Sequence, residues 1–270
     1  MSASGTFSSR YGPWALVTGA ARGLGAEYSR QIASRGINVV MVDLLTDELE
    51  RTAEEVRKAS GRDVVTIAAD LSRPDFIETI LKRVEGLEVG LLVSNAAYGP
   101  VGMFLERGLE EKLRVLDINV RAPLTLVHEF AIKMAARGRG GIIMMSSASA
   151  MQGTPYVANY AATKAYNLIL AEGLWVELRR KGVDVLGFMP GTTRTPGYFE
   201  SGAQIGKAKM VKVMEPGPTV TEALDALGRR PSHIAGRGNR ITFFISGKLM
   251  PRKAAIGLAA NILDKMYSGK

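Results

Sequence analysis

The sequence predicts an α/β protein with one doubly wound parallel sheet in a single domain. Two observations lead to this fold class. Apolar runs of strand length alternate with amphipathic stretches of helix length along the chain. The runs are continuously apolar, as expected for parallel strands that are buried on both faces. The β-α-β-α order implies right-handed crossovers, and the 270 residues, without an internal linker or repeat, suit one domain of this class.

Strands and helices are predicted in alternation up to Met189. The strands are Trp14–Thr18, Asn38–Val42, Val64–Ala68, Gly90–Ser94, Gly141–Met145 and Val183–Met189. The helices are Leu24–Arg35, Asp47–Ser60, Pro74–Glu85, Glu110–Arg137 and Tyr156–Lys181. The fourth helix is expected to break near Pro123, because proline lacks the N–H that a helix interior requires. Residues 1–12 are rich in Ser and Gly and are expected to form an N-terminal tail before a domain of residues 13–270.

The pattern becomes irregular after the sixth strand. Residues 191–235 mix Gly, Pro and Lys, and we expect them to form a substrate loop or lid, since long excursions of this kind are often functional. A short helix is predicted within them at Val220–Leu227. Residues 236–270 are expected to contain a last strand, Arg240–Ile245, and a terminal helix, Arg252–Tyr267.

Composition and charge exclude several classes of protein. The chain has no cysteine, so it has no disulfide and no thiolate nucleophile. Its two histidines, His128 and His233, are more than a hundred positions apart, so no metal site is expected. The N-terminus lacks the apolar segment of a signal peptide, and the longest charge-free run, between Arg139 and Lys164, is interrupted by polar residues. We therefore expect a cytoplasmic protein without stable membrane insertion.

The net charge of +9 is concentrated towards the C-terminus. Residues 201–270 carry twelve Lys and Arg against four acidic residues, whereas the first 200 residues carry 23 against 22. A positive field of this kind could attract an anionic substrate, a membrane surface or nucleic acid. A solvated basic face is an equally good interpretation. The chain has no nucleic-acid-binding motif, so nucleic acid is not predicted as a partner.

A glycine-rich turn, TGAARGLG at residues 18–25, follows the first predicted strand and leads into the first helix. Glycines permit a tight turn and a close approach of backbone to a ligand, and the helix N-terminus offers N–H groups to a pyrophosphate. An ordinary βα turn is the alternative. The position directly after the first strand favours a Rossmann fold that binds a dinucleotide. The candidate coenzyme-binding residues in this turn are Gly19, Arg22, Gly23, Leu24 and Gly25.

Asp43 ends the second strand, eighteen residues after Gly25. A carboxylate at this place accepts hydrogen bonds from the adenosine ribose and repels a 2′-phosphate, which favours NAD over NADP. Arg22 favours the opposite choice, because a guanidinium beside the ribose could pair with that phosphate. Repulsion by a carboxylate aimed at the same oxygens should prevail. NAD is therefore the predicted coenzyme, with NADP as the alternative.

The third and fourth strands also end in residues that suit a bound dinucleotide. Asp70, followed by Leu71, could accept a hydrogen bond from the adenine amino group, although an Asp that caps a loop is an equal alternative. Asn95, Ala96 and Ala97 close the fourth strand with small side chains that permit close passage of a ligand. Ligands of doubly wound sheets bind at this carboxyl side of the strands.

Tyr160 and Lys164 lie four residues apart on one face of a long predicted helix. A phenol with a pKa near 10 is a poor base at neutral pH, and a neighbouring ammonium lowers that pKa. Tyr160 could then give or take a proton. Ser147, just after the fifth strand, could polarise a substrate carbonyl through a hydrogen bond. A lone Tyr/Lys pair is usually a coincidence, but the glycine turn and the strand order make chance a poor explanation here.

Taken together, these motifs resemble those of the short-chain dehydrogenase/reductase family, in its shorter, single-domain branch. The TGAARGLG segment is similar to the glycine motif of that family, and Tyr160-x-x-x-Lys164, with Ser147 thirteen residues earlier, is similar to its active-site motif. Asn119 matches the fourth catalytic position. The resemblance covers about residues 12–195 in order and spacing. It also identifies an element over the nicotinamide that would bind coenzyme through Pro190, Gly191, Thr193 and Thr195.

The resemblance implies hydride transfer between NAD(H) and a secondary alcohol or ketone by a catalytic tetrad. Tyr160 would be the general acid and base. Lys164 would lower the pKa of Tyr160 and hold the nicotinamide ribose, so that both residues also contact coenzyme. Ser147 would orient the substrate oxygen, and Asn119 would hold a water that links Lys164 to solvent. Ala97 departs from the glycine that is frequent at its place in the family. By analogy, the two longest helices would form a homodimer or homotetramer.

Apolar side chains after the sixth strand favour an apolar small-molecule substrate, such as a lipid-like, steroid or aromatic alcohol or ketone. They are Met189, Tyr198, Phe199, Met210 and Met214. That they simply cover the core is equally plausible. Lys207, Lys209 and Lys212 could meet an anionic group. The alternative functions are an NADP(H)-dependent ketoacyl-type carbonyl reductase and, less favoured because the tetrad is intact, a non-catalytic nucleotide sensor.

Overall fold

The computed structural model describes residues 3–202, 213–245 and 249–267, with residues 3–6 described by their backbone alone. Its centre is a seven-stranded parallel sheet, which confirms the predicted fold class. The strands are β1 (Trp14–Thr18), β2 (Asn38–Asp43), β3 (Val64–Ala68), β4 (Val89–Ser94), β5 (Gly140–Met145), β6 (Val183–Met189) and β7 (Ser232–Ile234). Their order in the sheet is β3-β2-β1-β4-β5-β6-β7, so the chain reverses direction across the sheet beside β1 and forms the crevice where such folds bind ligands.

Helices cover both faces of this sheet. In the described part of the chain they are α1 (Ala3–Tyr11), α2 (Gly23–Ser34), α3 (Thr46–Ser60), α4 (Phe76–Arg83), α5 (Leu109–Leu116), α6 (Ala122–Arg137), α7 (Ala158–Arg179), α8 (Pro196–Glu200), α9 (Pro216–Ala226), α10 (Arg237–Phe244) and α11 (Arg252–Tyr267). None of the helices in these ranges is both long and apolar enough to cross a bilayer.

The buried core has two layers, one on each face of the sheet, because successive strand residues point in opposite directions. Val17 of β1 packs in a cluster with Tyr28 of α2. Its neighbour Leu16 packs in the opposite cluster with Phe130 of α6. Burial on both faces explains why the strands are continuously apolar in sequence.

The helix predicted at Glu110–Arg137 is not broken at Pro123. A π-helical turn, Asp117–Arg121, joins α5 to α6, and Pro123 lies in the first turn of α6. A proline is tolerated in a first turn, where its missing N–H removes little hydrogen bonding. The irregular part of this helical region is the π turn itself, which places Asn119 in the interior, where it is fully buried.

The segment predicted as an N-terminal tail contains a helix, α1, that packs on the core. Tyr11 is buried, and its ring contacts that of Phe7 edge-to-face at a centroid distance of 4.8 Å. The Tyr11 hydroxyl donates to Asp184 Oδ2 at 2.7 Å. The Ser- and Gly-rich composition predicted only a tail, but two aromatic residues at helical spacing outweigh the weak local helix propensity.

The last strand lies at β7, Ser232–Ile234, and not at the predicted Arg240–Ile245, which falls mainly in α10. Phe188 of β6 pairs with His233 of β7, so the sheet edge is already occupied. Residues 191–235 are also more regular than predicted, since they contain α8, α9 and β7. The helix predicted at Val220–Leu227 begins earlier, at Pro216, as α9. Met210 and the three lysines at positions 207, 209 and 212 lie outside the described residues.

Candidate active site

The glycine turn between β1 and α2 has the shape that a pyrophosphate requires. Gly19 and Gly23 adopt φ values of 65° and 60°, which favour glycine. A Cβ on Gly25 would lie 1.9 Å from the carbonyl oxygen of Gly19, so a side chain there would collide with backbone. Arg22 precedes α2 without capping it through its side chain. The first N–H groups of α2, including that of Leu24, therefore suit an anionic phosphate.

The loop after β4 is tied directly to this turn. The Asn95 amide donates to the carbonyl oxygens of Thr18 at 2.9 Å and Gly19 at 3.2 Å. The backbone N–H groups of Asn95 and Ala96 both donate to Thr18 Oγ1. Asn95 thus holds two strand ends together, whereas the neighbouring Ala97 is exposed. The side-chain amide of Asn95 is used for structure in this arrangement.

The two candidate adenosine-binding carboxylates lie at neighbouring strand ends. Asp43 accepts the backbone N–H of Ala21 at 2.9 Å through Oδ2 and that of Leu45 at 3.1 Å through Oδ1, which fixes its carboxylate beside the glycine turn. Asp70 lies two residues beyond β3. Burial raises the pKa of Asp70, but hydrogen bonds from Ser72 outweigh this effect and leave the pKa below its usual value.

Leu71, predicted among the coenzyme-binding residues, packs its side chain in the core cluster that contains Leu16. It is buried, with 8% of its surface exposed. Leu71 can therefore meet a ligand through its backbone.

Tyr160 lies in the first turn of α7, beside Ser147 and Gly99. Burial raises the pKa of the Tyr160 phenol, and a hydrogen bond with the Ser147 side chain lowers it. A Cβ on Gly99 would lie 2.6 Å from the Tyr160 ring, so the loop after β4 closes directly onto the ring. Ser147 is itself held by Ser149, whose hydroxyl and backbone N–H donate to Ser147 Oγ at 3.0 and 3.2 Å.

Lys164 is buried one helical turn after Tyr160, with 2% of its surface exposed. Its Nζ lies 5.6 Å from the centre of the Tyr160 ring and donates to the Met145 carbonyl oxygen at 3.0 Å. Burial lowers the pKa of Lys164 to about 8. The carbonyl oxygen of Lys164 accepts from Ser146 Oγ at 2.8 Å, which anchors this turn of α7 to the end of β5.

The expected electrostatic pairing of Tyr160 and Lys164 is therefore only partly present. The two side chains lie together, but burial raises the Tyr160 pKa, and Ser147 is the group that lowers it. The Nζ of Lys164 donates to the Met145 carbonyl oxygen and lies 5.6 Å from the centre of the Tyr160 ring. Desolvation penalises both charged forms at this site.

Asn119 holds the loop after β4 against α7. Its Oδ1 accepts the Tyr98 backbone N–H at 2.8 Å, and its Nδ2 donates to the Tyr98 carbonyl at 2.8 Å and to Thr163 Oγ1 at 3.1 Å. The Asn119 carbonyl oxygen accepts from Asn167 Nδ2 at 3.0 Å. Both side-chain N–H groups of Asn119 are therefore used within the protein.

The Pro190–Thr195 segment passes over the glycine turn. A Cβ on Gly23 would lie 3.3 Å from Thr195 Cβ, which places the two segments in contact. Gly191 has a φ of 70°, and Thr193 is buried. Thr195 Oγ1 accepts the Tyr198 N–H and so begins α8. The segment after β6 therefore lies against the glycine turn, as expected for an element that would help to bind the coenzyme.

A cleft of about 180 Å³ opens beside the Tyr160 ring. Much of its wall is apolar, and the apolar residues in it include Pro100, Met103, Phe104, Val115, Pro155 and Val157. The cleft can therefore bring an apolar molecule to the phenol. Among the described residues, no three His, Cys, Asp or Glu side chains group together as metal ligands.

Several residues that shape the site were not identified from sequence. Gly99 contacts the Tyr160 ring, Tyr98 fixes Asn119, and Ser146 anchors Lys164. Tyr267 of α11 also acts on Tyr160, since its charge raises the Tyr160 pKa. Gly99 could have been identified from sequence, because a glycine shortly after a strand permits close approach of another group. Nothing in the sequence around Tyr267 indicates that it lies near Tyr160.

A parallel sheet that brings a dinucleotide-type turn close to a neighbouring Tyr160, Lys164 and Ser147 is typical of an NAD(P)-dependent alcohol dehydrogenase or ketone reductase. The family model described as short chain dehydrogenase matches residues 13–205. The chain belongs to the short-chain dehydrogenase/reductase family. It is an oxidoreductase that transfers hydride between NAD(P) and a secondary alcohol or ketone.

Known relatives support this assignment over most of the chain. A 7β-hydroxysteroid dehydrogenase of Collinsella aerofaciens is 33% identical over 233 residues, which cover 86% of this chain and 89% of the relative. A structure described in a study of 7β-hydroxysteroid dehydrogenase stereoselectivity superposes with a TM-score of 0.88 at 30% identity, covering 94% of this chain and 98% of that one. A short-chain dehydrogenase of Sphingobium yanoikuyae in complex with NADPH superposes with a TM-score of 0.75 at 30% identity, covering 83% and 87%.

Proposed function

We propose that this protein is an NAD(H)-dependent hydroxysteroid dehydrogenase, which interconverts a ring hydroxyl and a ketone on a steroid-sized apolar substrate. The observation that carries the proposal is the apolar cleft that ends at the Tyr160 ring. The similarity to 7β-hydroxysteroid dehydrogenases supports the substrate class.

Tyr160 is the proton donor and acceptor of the proposed reaction. During ketone reduction its hydroxyl gives a proton to the substrate oxygen, and during alcohol oxidation it takes that proton back. Ser147 hydrogen-bonds the Tyr160 phenol, and its hydroxyl is placed to orient the same substrate oxygen. The coenzyme, when bound, supplies or accepts the hydride. The protein contributes orientation, exclusion of water and control of the proton.

Lys164 supplies positive charge beneath the ring of Tyr160 and, in the proposed mechanism, holds the nicotinamide ribose. Because the Asn119 N–H groups are already used, Asn119 would hold a relay water through the second lone pairs of its oxygens. The relay would connect Lys164 with solvent and restore the Tyr160 proton after each turnover.

NAD is proposed as the preferred coenzyme because Asp43 is fixed beside the glycine turn by two backbone hydrogen bonds. A carboxylate that cannot swing away repels a 2′-phosphate most strongly. Asp43→Ser should move the ratio of kcat/KM values towards NADP. Purified wild type and variant are compared with both coenzymes at saturating substrate, and a wild type that prefers NADP would contradict the proposal.

The substrate class is tested by following reduced nicotinamide in a panel of secondary alcohols. The panel includes hydroxysteroids that carry the hydroxyl at different ring positions, aromatic secondary alcohols and short aliphatic ones. We expect hydroxysteroids to give the highest kcat/KM. Met103→Trp, which enlarges an exposed side chain of the cleft wall, is expected to lower kcat/KM for steroids more than for short alcohols. Equal activity on all alcohols would refute the steroid assignment.

A cytoplasmic location and a homodimer or homotetramer are also proposed. Support for assembly comes from apolar side chains exposed on the outer faces of the long helices, since contiguous exposed apolar patches usually mark contacts. They include Leu113, Leu124, Ile169 and Val176. Light scattering on the purified protein checks the assembly, and a monomer at micromolar concentration would contradict it.

A further inference from the structure

Arg22 of the glycine turn is bound by a carboxylate from a distant part of the chain. Its Nη1 and Nη2 donate to Glu200 Oε1 at 2.5 Å and Oε2 at 2.8 Å, a two-pronged arrangement. Glu200 is the last residue of α8, 178 positions away in sequence. The ion pair therefore joins the coenzyme turn to the segment that follows β6.

Three carboxylates act on this one guanidinium. Hydrogen bonding to Glu200 is the largest cause that raises the Arg22 pKa, and the charges of Glu200, Glu48 and Asp43 raise it further. A 2′-phosphate that approached the Asp43 end of β2 would enter this acidic surrounding. Arg22 is the cation placed to receive such a phosphate, because it precedes the first turn of α2.

On the basis of the proposed function, we infer that Glu200 determines coenzyme specificity by occupying the Arg22 guanidinium and thereby excluding NADP(H). A guanidinium binds carboxylate and phosphate through the same paired N–H groups, so the two anions compete. Glu200 also repels a phosphate through its own charge. NAD(H), which lacks the 2′-phosphate, does not need Arg22 and is unaffected by this competition.

A role in coenzyme choice fits this pair better than a role in stability. Its side chains are 37% and 55% exposed, and ion pairs this exposed contribute little to folding because solvent screens them. The same segment contains a matched pair, Arg194 and Glu215, with a 2.8 Å contact and side chains that are 50% and 60% exposed. That second pair does not include a residue of the glycine turn, so it serves as an internal control.

The test is the isosteric variant Glu200→Gln, with dissociation constants for NAD and NADP measured by titration calorimetry in the absence of substrate. We expect the NADP constant to fall about three- to tenfold relative to the NAD constant, the range expected when one exposed charge-assisted competitor is removed. Glu215→Gln should leave the ratio of the two constants unchanged. An unchanged ratio in Glu200→Gln would overturn the inference, as would an equal gain for both coenzymes.

A double variant separates competition for Arg22 from a general change in charge. In an Arg22→Gln background, Glu200→Gln should no longer alter the ratio of the NADP and NAD constants. If the ratio changes as much as in the wild-type background, Glu200 does not act through Arg22 and the inference is wrong. Binding is measured without turnover, so failure of the steroid or NAD assignment leaves this double-variant comparison interpretable.

Discussion

Two tyrosines lie at opposite ends of the sheet, Tyr11 buried and Tyr160 partly buried, and their phenols have different partners. Tyr11 lies at the amino end, where its hydroxyl donates to the Asp184 carboxylate at 2.7 Å. Tyr160 lies at the carboxyl end, beside the Ser147 hydroxyl and the Lys164 ammonium. Burial is the largest cause that raises the pKa of each phenol.

The difference between the two phenols lies in the charge of their partners. Asp184 raises the Tyr11 pKa further, so the proton stays on the oxygen and the hydrogen bond is structural. Ser147 instead lowers the Tyr160 pKa, and Lys164 brings positive charge near the ring. Burial alone therefore does not make a tyrosine reactive. The carboxylate partner raises the phenol pKa of Tyr11 further, whereas the Ser147 hydroxyl lowers that of Tyr160.

The largest expected effect is the loss of turnover in Tyr160→Phe. Removing the proposed general acid and base should lower kcat by about 10²–10⁴-fold. Coenzyme affinity should change little, because the ring and its packing against Gly99 remain. Steady-state kinetics with a hydroxysteroid and NAD measures the loss, and calorimetry measures the affinity.

Tyr11→Phe is the matched control for that experiment. It removes the same hydroxyl from the opposite end of the sheet, and kcat should stay within about twofold of wild type, because Tyr11 lies outside the cleft. A comparable loss of kcat in both variants would mean that the Tyr160 effect is general destabilisation.

Lys164→Met should separate stability from activity. Burial lowers the Lys164 pKa from 10.5 to about 8, which corresponds to roughly 3 kcal/mol of desolvation cost in the folded state. Removing the ammonium should abolish most turnover and, at pH 7, raise the free energy of unfolding by up to about that amount, less the lost bond to Met145. Urea unfolding measures the gain.

The sign of this effect can be checked with pH. Between about 8 and 10.5 the unfolded wild type holds the Lys164 proton that the folded protein has released, so wild-type stability rises with pH in this window. The advantage of Lys164→Met should therefore shrink as pH rises through the same window. An advantage that is constant with pH would show that the buried charge is not its cause.

Tyr11→Phe should also produce the smallest of these effects, a loss of stability. The substitution leaves the buried Asp184 carboxylate without its phenol donor, although Arg10 still pairs with it at 2.5 Å. The expected cost is about 1–3 kcal/mol. Thermal unfolding measures it, and an unchanged melting temperature would show that Arg10 suffices.

The sheet was predictable from sequence because its strands are buried on both faces and carry an uninterrupted apolar signal. The glycine turn and the Tyr160–Lys164 pair could be proposed from sequence because their spacing is local. Tertiary contacts explain the errors. The segment around Ile241 and Phe244 has strand-like composition, but these side chains lie three positions apart and exposed on α10, while the short β7 occupies the sheet edge.

The residues that contact Tyr160 and Lys164 could not be predicted from sequence, because these contacts are also tertiary. The contact between Tyr160 and Gly99, and the bond from Lys164 to Met145, join segments that are distant in sequence. No local pattern reports them. Lys164 was expected to lower the Tyr160 pKa, whereas burial raises it. Motif spacing identifies the neighbours of a side chain but not how deeply it is buried.

Tyr156 connects α11 to the mouth of the cleft through a hydrogen bond from its hydroxyl to Asp264 Oδ1 at 2.7 Å. The rings of Tyr156 and Tyr267 lie 6.2 Å apart, so one side of the entrance is built by this helix. Because Tyr267 also raises the Tyr160 pKa, α11 affects the phenol as well as the entrance. Exchanging α11 between homologues is therefore expected to change substrate preference and the pH dependence of turnover together.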